Sequence, residues 1–576
     1  MSSAPTESIE RVVTRSVSRR DLLKRAVALS AGAPVLSAIL AACGNNAAPT
    51  SPTVAPASTI GAQLSPTSGA IATPPATTGS TPAAASAPAV LAGGKPTGEV
   101  VFVEGTDVTT LDPQLITDTP SGEAAFLLYD GLLAYDLNLN PVPQLATKWD
   151  LSADKLTWTF HLRDGVKFSD GSPLTADDVA FTYNRIRDEK TGSASRSQYQ
   201  LVTDVKAVDP TTVQFVTGGP FPDLLINLAG GSILSRKATE KYSVQEYGRH
   251  PVGSGPFMIG DWVTGDHVTF LPNPNYSGPE PARVAKITYK GVPEAATRAA
   301  MLRTGEADIA VKISPTDITS LKGDPNVTVQ QLTSMYQISF EMNCAMTDPP
   351  LTNQKVRQAL NYAVDKDSIV KNILQGLGEP MVSPFGPGIQ YRATFAPYSY
   401  DPQKAKQLLA DAGFANGFKM TLWSPDGRYL QDRQVAEAVQ GYLKAVGIQA
   451  DLKIWEWAPY NTAVIKDPTH QMSLLGRATP GADYSATRLF SKASWGQYNT
   501  TNFTDPTIED LLPKARTTFD DATRAQLYKQ IQQVWWDQAP WLFLHNQRAI
   551  VGVRKHIDGF AMRPTETMVL RNVTKK

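Results

Sequence analysis

The side chains that most often carry catalysis or metal binding are few in this chain of 576 residues and stand far apart. Its histidines, His161, His250, His267, His470, His545 and His556, include no i, i+4 pair that would put two imidazoles on one helix face. The two cysteines, Cys43 and Cys344, make no C-x-x-C pair for zinc or redox work. There is no G-x-S-x-G elbow, no H-E-x-x-H helix and no Walker A loop. Gly253-Ser254-Gly255-Pro256 lacks the G-x-G-x-x-G spacing and reads as a tight turn. No metal and no cofactor are expected, and no enzyme signature is present, although missing motifs do not exclude an enzyme whose catalytic groups are scattered in sequence. A secreted hydrolase is the alternative from a different class. It would need a nucleophile beside a base, and no motif supplies that pair.

Cys43 has a chemistry of its own. Leu40-Ala41-Ala42-Cys43 closes an apolar stretch that begins at Ala26. Small residues at 41 and 42 suit a peptidase cleft, and a thiol is needed to form a thioether to lipid, so the four residues resemble a bacterial lipoprotein box. Ahead of them runs Ser18-Arg19-Arg20-Asp21-Leu22-Leu23-Lys24. Charge followed by an apolar run is the order of a secretory signal, and Arg19-Arg20 matches the twin-arginine export pattern. Residues 1–42 are therefore read as an export signal, with Cys43 as the lipidated first residue of the mature chain. Cys344 is then left without a disulfide partner and reads as a small buried apolar residue. Residues 43–95 are mostly Pro, Thr, Ser and Ala, with no charge before Lys95. Such a segment buries too little surface to offset chain entropy and reads as a tether with a reach of about 40 Å. The expected location is outside the cytoplasm, held to the membrane by lipid alone.

Lys and Arg number 54, and so do Asp and Glu. That balance gives no electrostatic case for a nucleic-acid partner. The length calls for more than one folding unit.

Beyond residue 95 the patterning alternates. Leu156, Trp158, Phe160 and Leu162 alternate with polar residues, the period of a half-buried strand. Thr175 with Asp178 opens a helix as a capping box, and Val179, Tyr183 and Ile186 recur at helical spacing. Lys286–Tyr289 reads as a strand, and Ala295–Arg303 as a helix stopped by Gly305. Asp401 caps a helix with Pro402 at its first position, and Gly413 ends it. A strand at Met420–Trp423, a helix at Asp432–Val446 and a strand at 448–454 make a strand–helix–strand unit, which implies parallel pairing. The class is α/β, with antiparallel hairpins in the first half.

A longer text is recognisable at 143–181. Pro143-Gln144-Leu145-Ala146 precedes Trp149, then Leu156-Thr157-Trp158-Thr159-Phe160-His161-Leu162-Arg163-Asp164-Gly165-Val166-Lys167-Phe168, then Asp170-Gly171-Ser172-Pro173-Leu174-Thr175-Ala176-Asp177-Asp178-Val179. Leu111-Asp112-Pro113, Gly305-Glu306-Ala307-Asp308, Val356-Arg357-Gln358-Ala359-Leu360-Asn361 and Ala539-Pro540-Trp541 follow the same family order. The chain resembles the family 5 solute-binding proteins of bacterial ABC importers, the oligopeptide- and dipeptide-binding group, over roughly residues 98–565. The resemblance implies a two-lobed periplasmic-binding-protein-like fold of type II, cluster C, with a hinge between the lobes. Lobe I would hold 96–339 with an extra subdomain, lobe II 340–537, and residues 538–576 would return to lobe I. The hinge crossings would lie near Ile338–Asn343 and Trp541–Asn546. The implied activity is capture of an oligopeptide by lobe closure and delivery to a permease and its ATPase, by a monomer.

By the same resemblance, Asp483 matches an aspartate that pairs with a peptide's amino group, and Arg477 an arginine that in some relatives meets its carboxylate. Trp457 resembles a pocket tryptophan; Trp423 and Trp495 are looser candidates. Pro480-Gly481 replaces a tryptophan common before the aspartate, and Ser485-Ala486 replaces a proline after it. Those departures leave an oligosaccharide or another small solute as the alternative ligand.

Overall fold

The alternation at 156–162 becomes a strand. In the computed structural model, which describes residues 95–576, Trp158, Phe160 and Leu162 of the strand Thr157–Leu162 are buried and the residues between them half-buried. This strand lies between Ala146–Leu151 and Thr212–Thr217 in a four-stranded antiparallel sheet completed by Val202–Asp209. The helix Ala176–Arg187 starts at the capping box, where Thr175 N–H donates to Asp178 Oδ2 at 3.0 Å. Its Val179, Tyr183 and Ile186 share one core with Phe160 and Phe215. The export signal, the tether, Arg19, Arg20 and Cys43 lie outside the described residues.

A second, eleven-stranded mixed sheet runs through both halves of the molecule. At one end Glu99–Glu104 lies parallel to Lys286–Gly291 and Ile309–Val311, and the hairpin Phe257–Val263/His267–Pro272 forms the edge. At the other end Lys419–Pro425 lies parallel to Gln449–Trp455 and Met472–Arg477. The helix Asp432–Ala445 joins the first two of these, and Gly447, at φ +93°, turns the chain out of it. Asp401 caps the helix Pro402–Asp411, accepting from Lys404 N–H at 2.9 Å.

Two long antiparallel strands, Val327–Met342 and Trp541–Arg554, join the halves. Val327 pairs with Arg554 at one end and Glu341 with Trp541 at the other. Between Thr333 and Gln337 the register slips, and it slips again between Ile338 and Ser339. A slip leaves backbone groups out of the ladder and bends both strands there. The first break lies opposite Asn546–Arg548 and adjoins the 338–343 and 541–546 stretches, and the second falls within 338–343.

The halves approach closely next to this sheet. A Cβ on Gly105, just past the strand Glu99–Glu104, would stand 1.9 Å from the Gly427 carbonyl oxygen. Only glycine permits that backbone contact. Near the junction the helix Asp521–Gln538 stacks Trp535 on Phe490 with centroids 4.1 Å apart, which holds the helical turns of 482–490 in place. Among the described residues, no helix is long and apolar enough to cross a membrane.

Candidate functional site

A chamber of about 260 Å³ lies between the two halves. One half contributes Gln114, Thr117 and Asp118, then Gln198 and Asn227, and the returning segment at Arg563–Thr567; the other contributes Arg428, Tyr429, Trp457, Arg477, Tyr484 and Arg488. Asn461 Nδ2 donates to Thr117 Oγ1 at 2.6 Å across the two halves, and the hydroxyls of Thr119 and Tyr336 lie 2.5 Å apart.

Arg428 sits on the loop after Lys419–Pro425, at the carboxyl end of a parallel strand, where α/β sheets place ligands. Asp432 fixes that loop: its carboxylate accepts from the backbone N–H of Gly427, Arg428 and Tyr429 at 3.0, 2.8 and 2.9 Å. Burial nevertheless raises the Asp432 pKa to about 6. The Arg428 guanidinium lies 4.8 Å from the Tyr429 ring centre and 5.0 Å from that of Trp457, and donates to the Tyr336 hydroxyl at 3.0 Å. Gly476 makes room for these rings, since a Cβ there would come within 2.7 Å of both Tyr429 and Tyr336.

Arg477 ends the strand Met472–Arg477 and forms a bidentate pair with buried Glu341, at 2.6 and 2.8 Å. The Tyr498 ring lies between Arg477, 4.4 Å away, and Arg488, 3.8 Å away. Arg488 also donates to the Tyr484 hydroxyl. Arg563 donates to the carbonyls of Asp136 and Tyr135, and burial followed by the charge of Arg571 pulls its pKa down.

Of the five side chains singled out from sequence, the chamber brings together Arg477 and Trp457. Asp483 lies behind the wall, 1 % exposed. Its carboxylate accepts from Asn227 Nδ2 and Thr487 Oγ1, both at 3.1 Å, and stands 2.8 Å from Arg516 Nε. Those partners leave no face toward the chamber. Trp423 is buried against Trp455 and His470. Trp495 donates to the Phe503 carbonyl at 3.2 Å. Neither lines the chamber. Cys344 is half-buried, and burial pushes its thiol up to about 11.

Sequence reasoning missed Arg428 and Arg488, and with them Tyr336, Tyr429, Tyr484 and Tyr498. Arg428 carried a usable signal, a charge just after a strand of a parallel unit. Arg488 carried a weaker one, a single charge in the otherwise neutral run Tyr484-Ser485-Ala486-Thr487-Arg488-Leu489-Phe490. Among the described residues no group of three His, Cys, Asp or Glu is placed to hold a metal ion.

Comparison with known proteins agrees with this architecture. The family described as "bacterial extracellular solute-binding proteins, family 5 middle" matches residues 140–499. The glutathione-binding protein GsiB of Escherichia coli K12 is 33% identical over 477 residues, 81% of this chain and 92% of that protein. Among solved structures, the periplasmic binding protein DppA of Helicobacter pylori, in complex with the peptide STSA, is similar at a TM-score of 0.77 and 29% identity, covering 83% of this chain and 98% of that one. A dipeptide-binding protein of a Pseudoalteromonas species, in complex with Met-Leu, gives 0.77 and 27%, covering 83% and 100%. MoaA of Agrobacterium tumefaciens, in complex with mannopinic acid, gives 0.76 and 27% over the same shares. With this fold and these matches, the chain belongs to the bacterial extracellular solute-binding proteins of family 5.

Proposed function

We propose that this protein is the capture subunit of an ABC importer, taking a short peptide or peptide-like solute into the chamber and passing it to a permease. The observation that carries this reading is the chamber itself, walled by polar and aromatic side chains from both halves. A solute touching both walls binds the closed arrangement better than an open one, and that difference drives closure. The register slip at Thr333–Gln337 is where we place the bend. One related protein is named for glutathione, and the others are described in complex with the peptide STSA and with mannopinic acid. We further propose export through the Arg19-Arg20 signal, lipid attachment at Cys43, a tether over 43–95 and a monomeric state. Asp483 we assign to the seam between the halves in place of the grip on an amine that the resemblance implies.

Thermal denaturation with ligand pools tests the reading. A ligand at 100 times its dissociation constant adds about 2.7 kcal/mol of stability. Di- and tripeptide pools are expected to raise the melting temperature, and the peptides to be recovered intact. Stabilisation by oligosaccharides alone would replace the peptide reading, and cleaved peptides would replace binding by hydrolysis. For the anchor, Cys43→Ala is expected to release the protein from membranes; retention would remove lipidation from the proposal.

A further inference from the structure

The charges on the chamber wall do not balance. Four arginines line it, Arg428, Arg477, Arg488 and Arg563, against one acid, Asp118. That acid is already used. Asp118 caps the helix Thr119–Leu128, with Oδ1 accepting from Ser121 N–H at 2.9 Å and Oδ2 from the hydroxyls of Ser121 and Thr109 at 3.1 and 2.9 Å. Arg477 is neutralised by Glu341. Arg563 gives two of its five N–H groups to the carbonyls of Asp136 and Tyr135.

Arg428 and Arg488 differ from these. They are 2 % and 5 % exposed, and among the described residues neither has a carboxylate partner. In each the Nε–H is buried with no acceptor. Each guanidinium lies over aromatic faces, which support a cation weakly, and gives an in-plane N–H only to a tyrosine hydroxyl, Tyr336 for Arg428 and Tyr484 for Arg488. A buried guanidinium in this condition is built for an anion that arrives from outside. The two stand on separate ring sets: Tyr336, Tyr429 and Trp457 for Arg428, Tyr484 and Tyr498 for Arg488.

Resting on the capture reading above, we propose that the preferred ligand carries two separated carboxylates and that Arg488 is the specificity-determining residue for the second. Arg428 takes one carboxylate beside Trp457, and Arg488 takes the other beside Tyr498. The wall has no free acid for a ligand's ammonium group, because Asp483 is sealed behind it and Asp118 is committed. Preference therefore runs from acidic to neutral to basic ligands. An acidic short peptide and a non-peptide dicarboxylic acid present the same chemistry.

Calorimetric titration of the full mature chain separates the possibilities. The probes are Ala-Ala-Glu, Ala-Ala-Gln, Ala-Ala-Lys and glutarate. Ala-Ala-Glu is expected to bind at least ~10-fold tighter than Ala-Ala-Gln, and Ala-Ala-Lys more weakly still. Arg488→Gln is expected to erase the Glu-over-Gln preference, and Arg488→Lys to restore part of it. Binding of glutarate with no tripeptide binding would identify a non-peptide acid as the source. Equal affinities for the three peptides, or a preference for the Lys peptide, would overturn the two-carboxylate proposal and leave capture standing. No binding by any probe would overturn both. An unchanged Glu-over-Gln preference in folded Arg488→Gln would remove Arg488 from the assignment.

Discussion

Two arginine-rich regions lie close together in this molecule and treat charge in opposite ways. In the seam behind the chamber, Arg516 stands against Asp483, and Arg524 pairs with Asp223 from the other half. Arg516 also donates to the Gln198 carbonyl at 2.8 Å, so this cluster ties the halves together. On the chamber wall, Arg428 and Arg488 are as deeply buried, and among the described residues neither guanidinium has a salt-bridge partner, although the charge of Asp118 acts on Arg428. Paired charges here serve the fold, and under the proposal above the unpaired ones are kept for a guest. Glu123 shows a third solution. Fully buried, it accepts from Met568 N–H at 2.9 Å and from the Tyr289 hydroxyl, and burial pushes it up to about 8, so near neutral pH it keeps its proton.

The largest expected effect tests the seam. Asp483→Ala strands Arg516 in the interior, and breaking such a pair costs about 3–5 kcal/mol. Chemical denaturation of the ligand-free protein reads this directly. A loss below about 1 kcal/mol would mean the seam pair does not hold the fold, and would return Asp483 to consideration as a ligand contact.

A smaller effect, with a pH signature, is expected at Glu123. Its folded value of about 8 lies above the ordinary 4.5. The folded protein keeps a proton that the unfolded chain gives up, so this contribution is full below pH 4.5 and is lost as pH rises through 8. Glu123→Gln removes that slope and is expected to gain about 1–3 kcal/mol over the parent near pH 9, with the gain vanishing by pH 4. A gain that does not change with pH would contradict a protonated Glu123.

The smallest stability effect is expected at the wall. Arg488→Gln removes an unpaired buried charge, so the ligand-free protein is expected to change by less than about 1 kcal/mol. A loss as large as that of Asp483→Ala would make Arg488 a structural residue and collapse the contrast between seam and wall.

Much of the fold was legible because its signals are local. The alternation of Trp158, Phe160 and Leu162, the capping box at Thr175 and Asp178, and the Asp401-Pro402 start each depend on residues a few positions apart. The parallel pairing of 419–425 with 449–455 followed from one intervening helix. The site was less legible because its decisive contacts are distant in sequence. The resemblance assigns Asp483 to a ligand's amine, but Asn227, 256 positions away, and Arg516 occupy its carboxylate. Arg477 reads as a free cation until Glu341, 136 positions away, is seen to neutralise it. Whether a buried charge is answered or left open is settled by tertiary pairing, to which a linear pattern of residue types is blind.

The bare backbone contact between Gly105 and Gly427 offers a handle on energetics. A single methyl at position 105 would act as a doorstop, since it meets carbonyl oxygen and not a side chain that can swing aside. The oxygen it meets belongs to the peptide that leads into Arg428, so under the closure proposed above Gly105→Ala weakens every guest through the fraction of molecules still able to shut, and weakens anionic guests further through Arg428. The part of the drop shared by ligands of different charge would read out that fraction, and the cost of shutting an empty trap would follow from it.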